Sequence, residues 1–225
     1  RVDRRAAMMG NGRAGVVSVR QEPPMSRCRA ILIDLDGVIR RWPANDHALE
    51  QRFGLPPDAI RAEAFSRHRL RPAIRGTVSD DEWRRGVADA LRERHPGADA
   101  IGAVTAWSAG IGTVDARVLE LLEACAPVSG RVLLTNATSR LNDDLAAHGL
   151  STRFGAVVNS SEVGAVKPEP AIFEAAIRAC GREADEIVYV DDDRGNVASG
   201  CAMGLRGHRY ENEASLRAFL TRSGM

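Results

Sequence analysis

Two apolar runs in this sequence end in clusters of aspartate. The first run is followed by Asp34 and Asp36, and the second by Asp191, Asp192 and Asp193. A buried carboxylate without a partner is costly, so acids at the end of a core strand need a compensating charge. Oxygen ligands without histidine or cysteine favour a hard cation such as Mg²⁺. Each cluster alone also fits helix capping or a solvated turn, but together they predict one shared magnesium ion.

Lys167 is the only lysine among 31 cationic side chains. The lysine ammonium is a compact point charge, whereas arginine presents a planar fork of donors. Lysine at this position therefore indicates a tight site in which the charge lies against one anionic oxygen. The alternative is that an arginine-rich composition leaves a single lysine by chance.

A hydroxyl and an amide follow a third apolar run. Thr135 and Asn136 stand at its end, where the Thr135 hydroxyl and the backbone N–H groups after it are suited to hold phosphate oxygens. A helix cap or a turn is the alternative role for such a pair.

The three runs, 30–33, 131–134 and 186–190, are typical of strands buried on both faces of a parallel sheet. Parallel strands are joined by helical crossovers, which predicts a doubly wound α/β core. The carboxyl ends of such strands meet at one edge of the sheet, and the side chains named above follow those ends. Gly37 predicts a tight turn where the backbone approaches another group closely.

Four segments, in this order, resemble the motifs of the haloacid dehalogenase (HAD) superfamily of hydrolases. They are Asp34-Leu35-Asp36-Gly37-Val38, Leu133-Leu134-Thr135-Asn136, Lys167-Pro168, and Val190-Asp191-Asp192 with Asn196-Val197. The ordered set is specific, although no single segment is. The resemblance implies a Rossmann-like HAD core and, as in most members, a Mg²⁺-dependent phosphatase. The expected substrate is a small phosphorylated metabolite.

The resemblance also implies roles for single residues. Asp34 is expected to attack phosphorus and form an aspartyl-phosphate, and Asp36 to protonate the leaving alcohol and then deprotonate the hydrolytic water. Thr135, the Asn136 amide and Lys167 are expected to bind the phosphoryl group.

The magnesium ligands implied by the resemblance are the Asp34 carboxylate, the Asp36 carbonyl and Asp191, with Asp192 acting through coordinated water. Three consecutive acids stand where the family usually shows two, and Asp191 is the expected direct ligand. Val38 stands where many members have threonine, a variation expected to affect fit more than mechanism.

The second acid, Asp36, favours phosphate esters over haloacids, because the superfamily's dehalogenases lack an acid at that position. Mutases keep both acids, so a phosphotransferase or phosphomutase with the same nucleophile is an alternative. A non-catalytic binding or regulatory domain is a further alternative, although the acids that such relatives lose are present here.

The chain divides into three predicted regions. Residues 1–25 are expected to be a flexible N-terminal extension, and residues 26–42 with 113–225 to form the α/β core. Residues 43–112 are expected to be a helical cap, since they fall in the gap between the first two motifs where the family places one. A small cap would exclude water and select the substrate.

Helix signals and arginines stand out near and within the predicted cap. Ser79 and Glu82 have the spacing of a capping box. Arg40, just after the first motif, is a candidate to bind a second anionic group of the substrate. The same holds for a cluster of cap arginines, with a solvated face as the alternative. These cap residues are Arg67, Arg69, Arg71 and Arg75.

Composition excludes some partner classes. A net charge of +1 and 4% aromatic residues give no indication of nucleic-acid binding. No apolar stretch in residues 1–25 is long enough for a signal peptide or a membrane span. Four scattered cysteines without metal-ligand spacing are expected to be reduced core thiols. We expect a cytoplasmic monomer or homodimer without membrane or nucleic-acid partners.

Overall fold

The computed structural model describes residues 27–225. Its strands are β1 (Ala30–Ile33), β2 (Arg40–Arg41), β3 (Thr113–Val114), β4 (Arg131–Thr135), β5 (Ala156–Asn159), β6 (Ile187–Asp191) and β7 (Arg206–Arg209). Five of them form a parallel sheet in the order β5-β4-β1-β6-β7, whereas β2 and β3 pair with each other in antiparallel orientation.

The helices before β4 are α1 (His47–Arg52), α2 (Ala59–Ala64), α3 (Arg67–Ile74), α4 (Asp80–Arg94), α5 (Ala100–Ser108) and α6 (Ala116–Cys125). Those after β4 are α7 (Leu141–Ala147), α8 (Ser160–Val163), α9 (Pro170–Cys180), α10 (Arg194–Ala202) and α11 (Glu213–Arg222).

The sheet is covered on both faces. Alternate residues of β1 point to opposite sides, so that Ile31 and Ile33 join one hydrophobic cluster and Leu32 joins the other. The first cluster contains residues of α6, α7 and α11, and the second contains residues of α9. Strands buried on both faces need continuous apolar sequence, which explains the runs in the primary structure. The predicted doubly wound α/β fold is confirmed.

A third hydrophobic cluster lies in the helices between β2 and β3. It contains Leu55, Ile60 and Leu91 and is separate from the two clusters that flank the sheet. Helix α4 starts with the predicted capping box, in which Ser79 Oγ accepts from Glu82 N at 3.2 Å and Glu82 Oε2 accepts from Ser79 N at 2.7 Å. The helices between β2 and β3 therefore have a hydrophobic core of their own, as a separate structural unit has.

The helix after β6 begins directly behind the cluster of three aspartates. Asp193 is its N-cap, because Asp193 Oδ1 accepts a hydrogen bond from Asn196 N at 2.8 Å, and the helix starts at Arg194. The third of the consecutive acids therefore caps a helix.

The cysteines are all free, but only two of them are buried. Cys28 and Cys180 lie in the core as predicted, Cys125 is half-buried against it, and Cys201 is exposed, so the prediction of a core thiol was wrong for Cys201. The predicted extension, residues 1–25, lies outside the described residues. Within residues 27–225, every helix is too short or too polar to cross a membrane.

Candidate active site

Charged side chains from three segments meet at the carboxyl edge of the sheet. The register of β1 against β6 places Asp34 level with Asp191. Lys167 Nζ lies 2.7 Å from Asp34 Oδ1 and 2.8 Å from Asp191 Oδ2. This buried ammonium also donates to Leu134 O at 3.2 Å. The single lysine of the chain therefore bridges acids from two strands.

The loop that carries Lys167 is held by Asn136. Asn136 Oδ1 accepts from Lys167 N at 2.8 Å, and Asn136 Nδ2 donates to Lys167 O at 3.1 Å. Burial acts to lower the pKa of Lys167, but the carboxylates of Asp34 and Asp191 outweigh burial and raise that pKa. The Asn136 side chain thus positions a charged Lys167, a role that the sequence prediction did not include.

Asp34 titrates near neutrality in the metal-free protein. Burial raises the pKa of Asp34 to about 7, with the Lys167 ammonium opposing the increase and the Asp191 carboxylate adding to it. One oxygen, Oδ1, also accepts a hydrogen bond from Leu35 N at 2.8 Å. A neighbouring cation would favour the charged carboxylate, which is the form that a nucleophile requires.

Asp191 is completely buried, and both of its oxygens accept hydrogen bonds. The Tyr189 hydroxyl donates to Oδ2 at 2.5 Å, Asp193 N donates to Oδ1 at 2.8 Å, and Asn196 Nδ2 lies 3.2 Å from each oxygen. Burial, followed by the charge of Asp191, raises the pKa of Tyr189, which keeps its hydroxyl a donor. These contacts fix the orientation of the Asp191 carboxylate.

Three acids are close enough to share a metal ion. Asp34, Asp191 and Asp192 each offer a carboxylate oxygen, and these atoms lie within 4.8 Å of one another. Burial, followed by the charge of Asp191, raises the pKa of Asp192. Lys167 supplies only one positive charge against three acids, so a divalent cation would relieve the repulsion. The donors are all hard oxygen atoms, and this set fits Mg²⁺.

Gly37 lies against this acid cluster. Its φ is +89°, and a Cβ atom built on it would come within 2.2 Å of Asp192 Oδ2. The left-handed backbone and the close approach both require glycine. The tight turn and close contact predicted from the sequence are therefore confirmed.

Asp36 lies apart from the three gathered acids and faces other partners. Arg40 Nε donates to Asp36 Oδ1 at 2.7 Å, and Arg40 Nη2 donates to Asp36 Oδ2 at 3.0 Å. Trp42 Nε1 donates to Asp36 Oδ1 at 2.7 Å. Arg40 and Trp42 thus occupy both oxygens of the Asp36 carboxylate.

Arg40 is buried between two carboxylates. Besides Asp36, it contacts Asp144 of α7, with Nη1 donating to Asp144 Oδ2 at 2.9 Å. Burial acts to lower the pKa of Arg40, but its hydrogen bonds and charge interactions, first with Asp36, raise that pKa. The sequence prediction had Arg40 binding a second substrate anion, whereas the structure pairs it with two acids. The Asp36–Arg40 spacing of four residues was visible in the sequence, but nothing there pointed to Asp144.

The loop after β4 is tied to the protein on two sides. Thr135 is buried at the end of the strand. Two residues further on, the backbone N–H of Ala137 donates to Ser160 Oγ at 3.1 Å. Thr138 Oγ1 donates to Asp80 Oδ1 of α4 at 2.6 Å, which connects this loop to the cap helices. One of the N–H groups expected to hold phosphate is thus already used within the protein.

Two of the cap arginines contact the loop that carries Lys167. Arg71 Nη2 donates to Glu169 Oε1 at 3.0 Å, and Arg75 forms an ion pair with the same carboxylate. The hydrogen bond from Arg75 lowers the pKa of Glu169. These arginines therefore join α3 and its C-cap to the core, and Glu169 is a contact that sequence reasoning missed.

A cavity of about 340 Å³ lies between the helices α2–α5 and the core. Asp36 and Asn136 line it on the core side, and aromatic rings from the segment between β2 and β3, including Phe65 and Trp107, form part of its wall. The carboxyl edge of the sheet thus carries a buried lysine among acids, with a partly enclosed space beside the second acid of the first motif.

A doubly wound α/β fold with this acid cluster defines a class of hydrolases. The sequence matches the family of haloacid dehalogenase-like hydrolases over residues 28–204, and the chain belongs to that family. A haloacid dehalogenase-like hydrolase domain-containing protein 3 of Danio rerio is 34% identical over 77 residues, which are 34% of this chain and 32% of the relative. The match therefore spans about a third of that relative's length.

Solved structures share the fold. A HAD family enzyme of Bacteroides thetaiotaomicron has a TM-score of 0.63 and 20% identity, with 83% of this chain and 95% of that chain covered. A HAD-like hydrolase of Porphyromonas gingivalis has a TM-score of 0.62 and 20% identity, with coverages of 88% and 99%. An L-2-haloacid dehalogenase has a TM-score of 0.58 and 21% identity, with coverages of 80% and 82%.

Proposed function

We propose that this HAD-like hydrolase is a Mg²⁺-dependent phosphatase that hydrolyses a small phosphate monoester through an aspartyl-phosphate. The observation that carries the proposal is the contact of Lys167 Nζ with both Asp34 and Asp191, next to a second acid, Asp36, that faces a cavity. Phosphoryl transfer needs mainly positioning and charge stabilisation, and this arrangement supplies both.

In the proposed reaction, an Asp34 oxygen attacks phosphorus and the bond to the leaving alcohol breaks. For this step Asp36 would be protonated on Oδ2, which gives up its hydrogen bond from Arg40 Nη2, while Oδ1 stays held by Arg40 Nε and Trp42. The proton on Oδ2 goes to the departing oxygen. The resulting Asp36 carboxylate then takes a proton from water, which attacks the aspartyl-phosphate and releases inorganic phosphate with Asp34 restored. Lys167 stabilises negative charge on the phosphoryl oxygens, with Thr135 and the Asn136 backbone amide as further phosphoryl contacts.

Magnesium would be held by the Asp34 carboxylate, the Asp36 carbonyl, and Asp191 or Asp192. The ion would neutralise charge on the phosphoryl group and on Asp34. The five contacts to the Asp191 oxygens favour Asp192 over Asp191 as the carboxylate with a free lone pair for the ion. This preference reverses the one drawn from the sequence.

Both the comparisons and the site bear on the choice between phosphatase and dehalogenase. The Bacteroides enzyme has also been solved in complex with magnesium and inorganic phosphate, at a TM-score of 0.63 and 19% identity. Dehalogenases are among the structural neighbours as well. A proton donor beside the leaving group serves an alkoxide, which must be protonated, whereas a halide leaves without a proton. Asp36 therefore favours phosphate esters.

The test is phosphate release from a panel of phosphorylated metabolites, with Mg²⁺ and with a chelator. The Asp34→Asn variant is expected to lose activity by roughly 10⁴-fold or more, because the nucleophile is gone. The matched control is Asp143→Asn, which changes an exposed acid on α7. Release that needs the metal and Asp34 supports the proposal. Chloride release from a 2-haloacid without phosphate release from any ester would contradict it.

A phosphotransferase would be recognised in the same assay. Adding an alcohol acceptor would then yield a new phosphate ester at the expense of inorganic phosphate.

We also propose residues 43–112 as the cap domain, because α1–α5 have their own hydrophobic cluster and border the cavity beside Asp36.

A further inference from the structure

The charges around the cavity between cap helices and core are balanced. Four arginines and four aspartates line it. Each of these arginines forms an ion pair with an aspartate of the same set. The pairs are Arg40 with Asp36 at 2.7 Å and with Asp144 at 2.9 Å, Arg140 with Asp144 at 2.8 Å, Arg84 with Asp80 at 2.5 Å, and Arg61 with Asp46 at 3.8 Å.

This pairing disfavours a second anionic group on the substrate. Such a group would compete with an aspartate for its arginine, and a carboxylate that lost its arginine would stand without a partner in a partly enclosed space. A cationic group on the substrate would have to compete with an arginine for one of the aspartates. The cavity is therefore suited to a leaving group without charge.

The same cavity has large aromatic surfaces. Trp42 and Phe65 both line it and remain 44% and 48% exposed. Trp107 packs edge-on against Phe65, with the ring centroids 6.2 Å apart. Exposed aromatic surface gathered in one concave place indicates a ligand with apolar surface to bury.

Three buried polar atoms of cavity-lining residues make no hydrogen bond within the part of the chain that the structure describes, namely Arg84 Nε, Asp144 Oδ1 and Ser108 Oγ. The first two lie in ion pairs with Asp80 and Arg140, whereas Ser108 Oγ has no such contact. Buried hydroxyls are normally satisfied. A single polar group on the bound alcohol, or a water molecule beside it, would satisfy this one.

We propose that the leaving group is an uncharged alcohol with an aromatic or similarly bulky apolar part. Its oxygen would lie at Asp36 and its apolar part between Trp42 and Phe65. This inference rests on the proposed phosphatase function and specifies the class of substrate, which excludes phosphorylated acids such as phosphoglycerates. A volume of about 340 Å³ is at the small end of the range for ligand pockets and suits one ring system.

The experiment compares kcat/KM for phosphate esters of alcohols with similar acidity. Benzyl phosphate against methyl phosphate measures the effect of the ring. Para-carboxybenzyl phosphate against para-carbamoylbenzyl phosphate measures the effect of one negative charge at equal size. We expect benzyl phosphate to exceed methyl phosphate roughly ten-fold or more, as burial of an aromatic ring predicts. We also expect the carboxylate to be disfavoured against its neutral amide.

Two variants connect these preferences to the cavity. Phe65→Ala is expected to reduce the ratio between benzyl and methyl phosphate. Ile101→Ala, which removes a 60% exposed side chain of α5 that does not line the cavity, is expected to leave that ratio as it is.

The outcomes separate this inference from the function on which it rests. Equal rates for benzyl and methyl phosphate, a preference for the carboxylate, or a ring preference that survives Phe65→Ala would overturn the inference while the phosphatase stands. No hydrolysis of any of the esters, in the presence of Mg²⁺, would overturn the phosphatase itself and the inference with it.

Discussion

The Arg40 guanidinium holds both carboxylate oxygens of Asp36, with Nε 2.7 Å from Oδ1 and Nη2 3.0 Å from Oδ2. A bidentate pair fixes the plane of a carboxylate as well as its position. Asp36 follows strand β1 and is only half-buried, so packing alone does not orient its side chain. We infer that Arg40 positions Asp36 for its proposed role as the acid that protonates the leaving alcohol.

Loss of the Arg40–Asp36 ion pair should slow the hydrolysis of esters with poor leaving groups more than that of esters with good ones. Arg40→Lys is expected to lower kcat for methyl phosphate by roughly 10²-fold, a typical contribution of acid catalysis. Para-nitrophenyl phosphate should be much less affected, because its leaving group departs without a proton. Steady-state kinetics with both esters measure the difference, with Arg41→Lys at the neighbouring exposed arginine as the control. An equal loss on both esters would assign Arg40 a purely structural role.

Lys167→Arg should also inactivate the enzyme. The ammonium fits between Asp34 and Asp191 while it donates to Leu134 O, and a planar fork cannot reproduce three contacts in that geometry. We expect kcat/KM to fall by about 10²-fold or more, the effect of losing an aligned charge on the phosphoryl group. Circular dichroism checks that the variant is folded. Activity near that of the wild type would refute the need for a point charge.

Magnesium binding should weaken as the pH falls through about 7. Metal ligands must be deprotonated, and the pKa of Asp34 is raised to about 7 in the metal-free protein. Calorimetric titration with Mg²⁺ at pH 6 and pH 8, in buffers of different ionisation enthalpy, measures affinity and proton release together. We expect lower affinity and greater proton release at the lower pH, and no such proton release in Asp34→Asn. Affinity that does not change with pH would contradict the assignment.

The raised pKa of Asp34 also predicts how the stability of the metal-free protein depends on pH. This pKa is raised from 3.8 to about 7, so between these values the folded state binds a proton that the unfolded chain has released. The stabilising contribution of this proton is complete below 3.8 and is lost as the pH rises through about 7. In chelator, the free energy of unfolding of Asp34→Asn relative to wild type should therefore increase from pH 5 to pH 8, by at most about 1.4 kcal/mol per pH unit. A difference that stays constant would refute the shift.

Gly37→Ala should damage both stability and metal binding. The added methyl group would meet Asp192 Oδ2 at 2.2 Å, in a backbone with φ of +89°. We expect a loss of about 1–3 kcal/mol in the free energy of unfolding, together with weaker Mg²⁺ binding because Asp192 must move. Gly149→Ala is a close control, since φ there is +66° and no atom lies within 4 Å of the new methyl group. It should lose stability only, and an equal effect of both variants on Mg²⁺ would exclude the contact with Asp192.

Much of the site could be predicted because it depends on short-range patterns. Continuous apolar runs locate strands in a sheet covered on both faces, and acids at the ends of such strands must meet at one edge. These two rules are enough to bring Asp34, Thr135 and Asp191 together. Lys167 could be assigned to the same place because buried acids need a positive charge beside them. The capping box of α4 was readable because both of its bonds lie within four residues.

Only the tertiary structure determined which side chains form ion pairs with the remaining charged residues. Arg40 was predicted to bind a substrate anion, but Asp144, 104 residues away, is its second partner. Glu169 was missed for the same reason, since its partners, Arg71 of α3 and Arg75 at the end of that helix, lie 98 and 94 residues earlier. Residue types and spacing along the chain determined the family of this protein and the acids and lysine that meet at the sheet edge. Which charges stay free for a substrate depends on how the cap packs on the core, because ion pairs form between whatever side chains packing brings together.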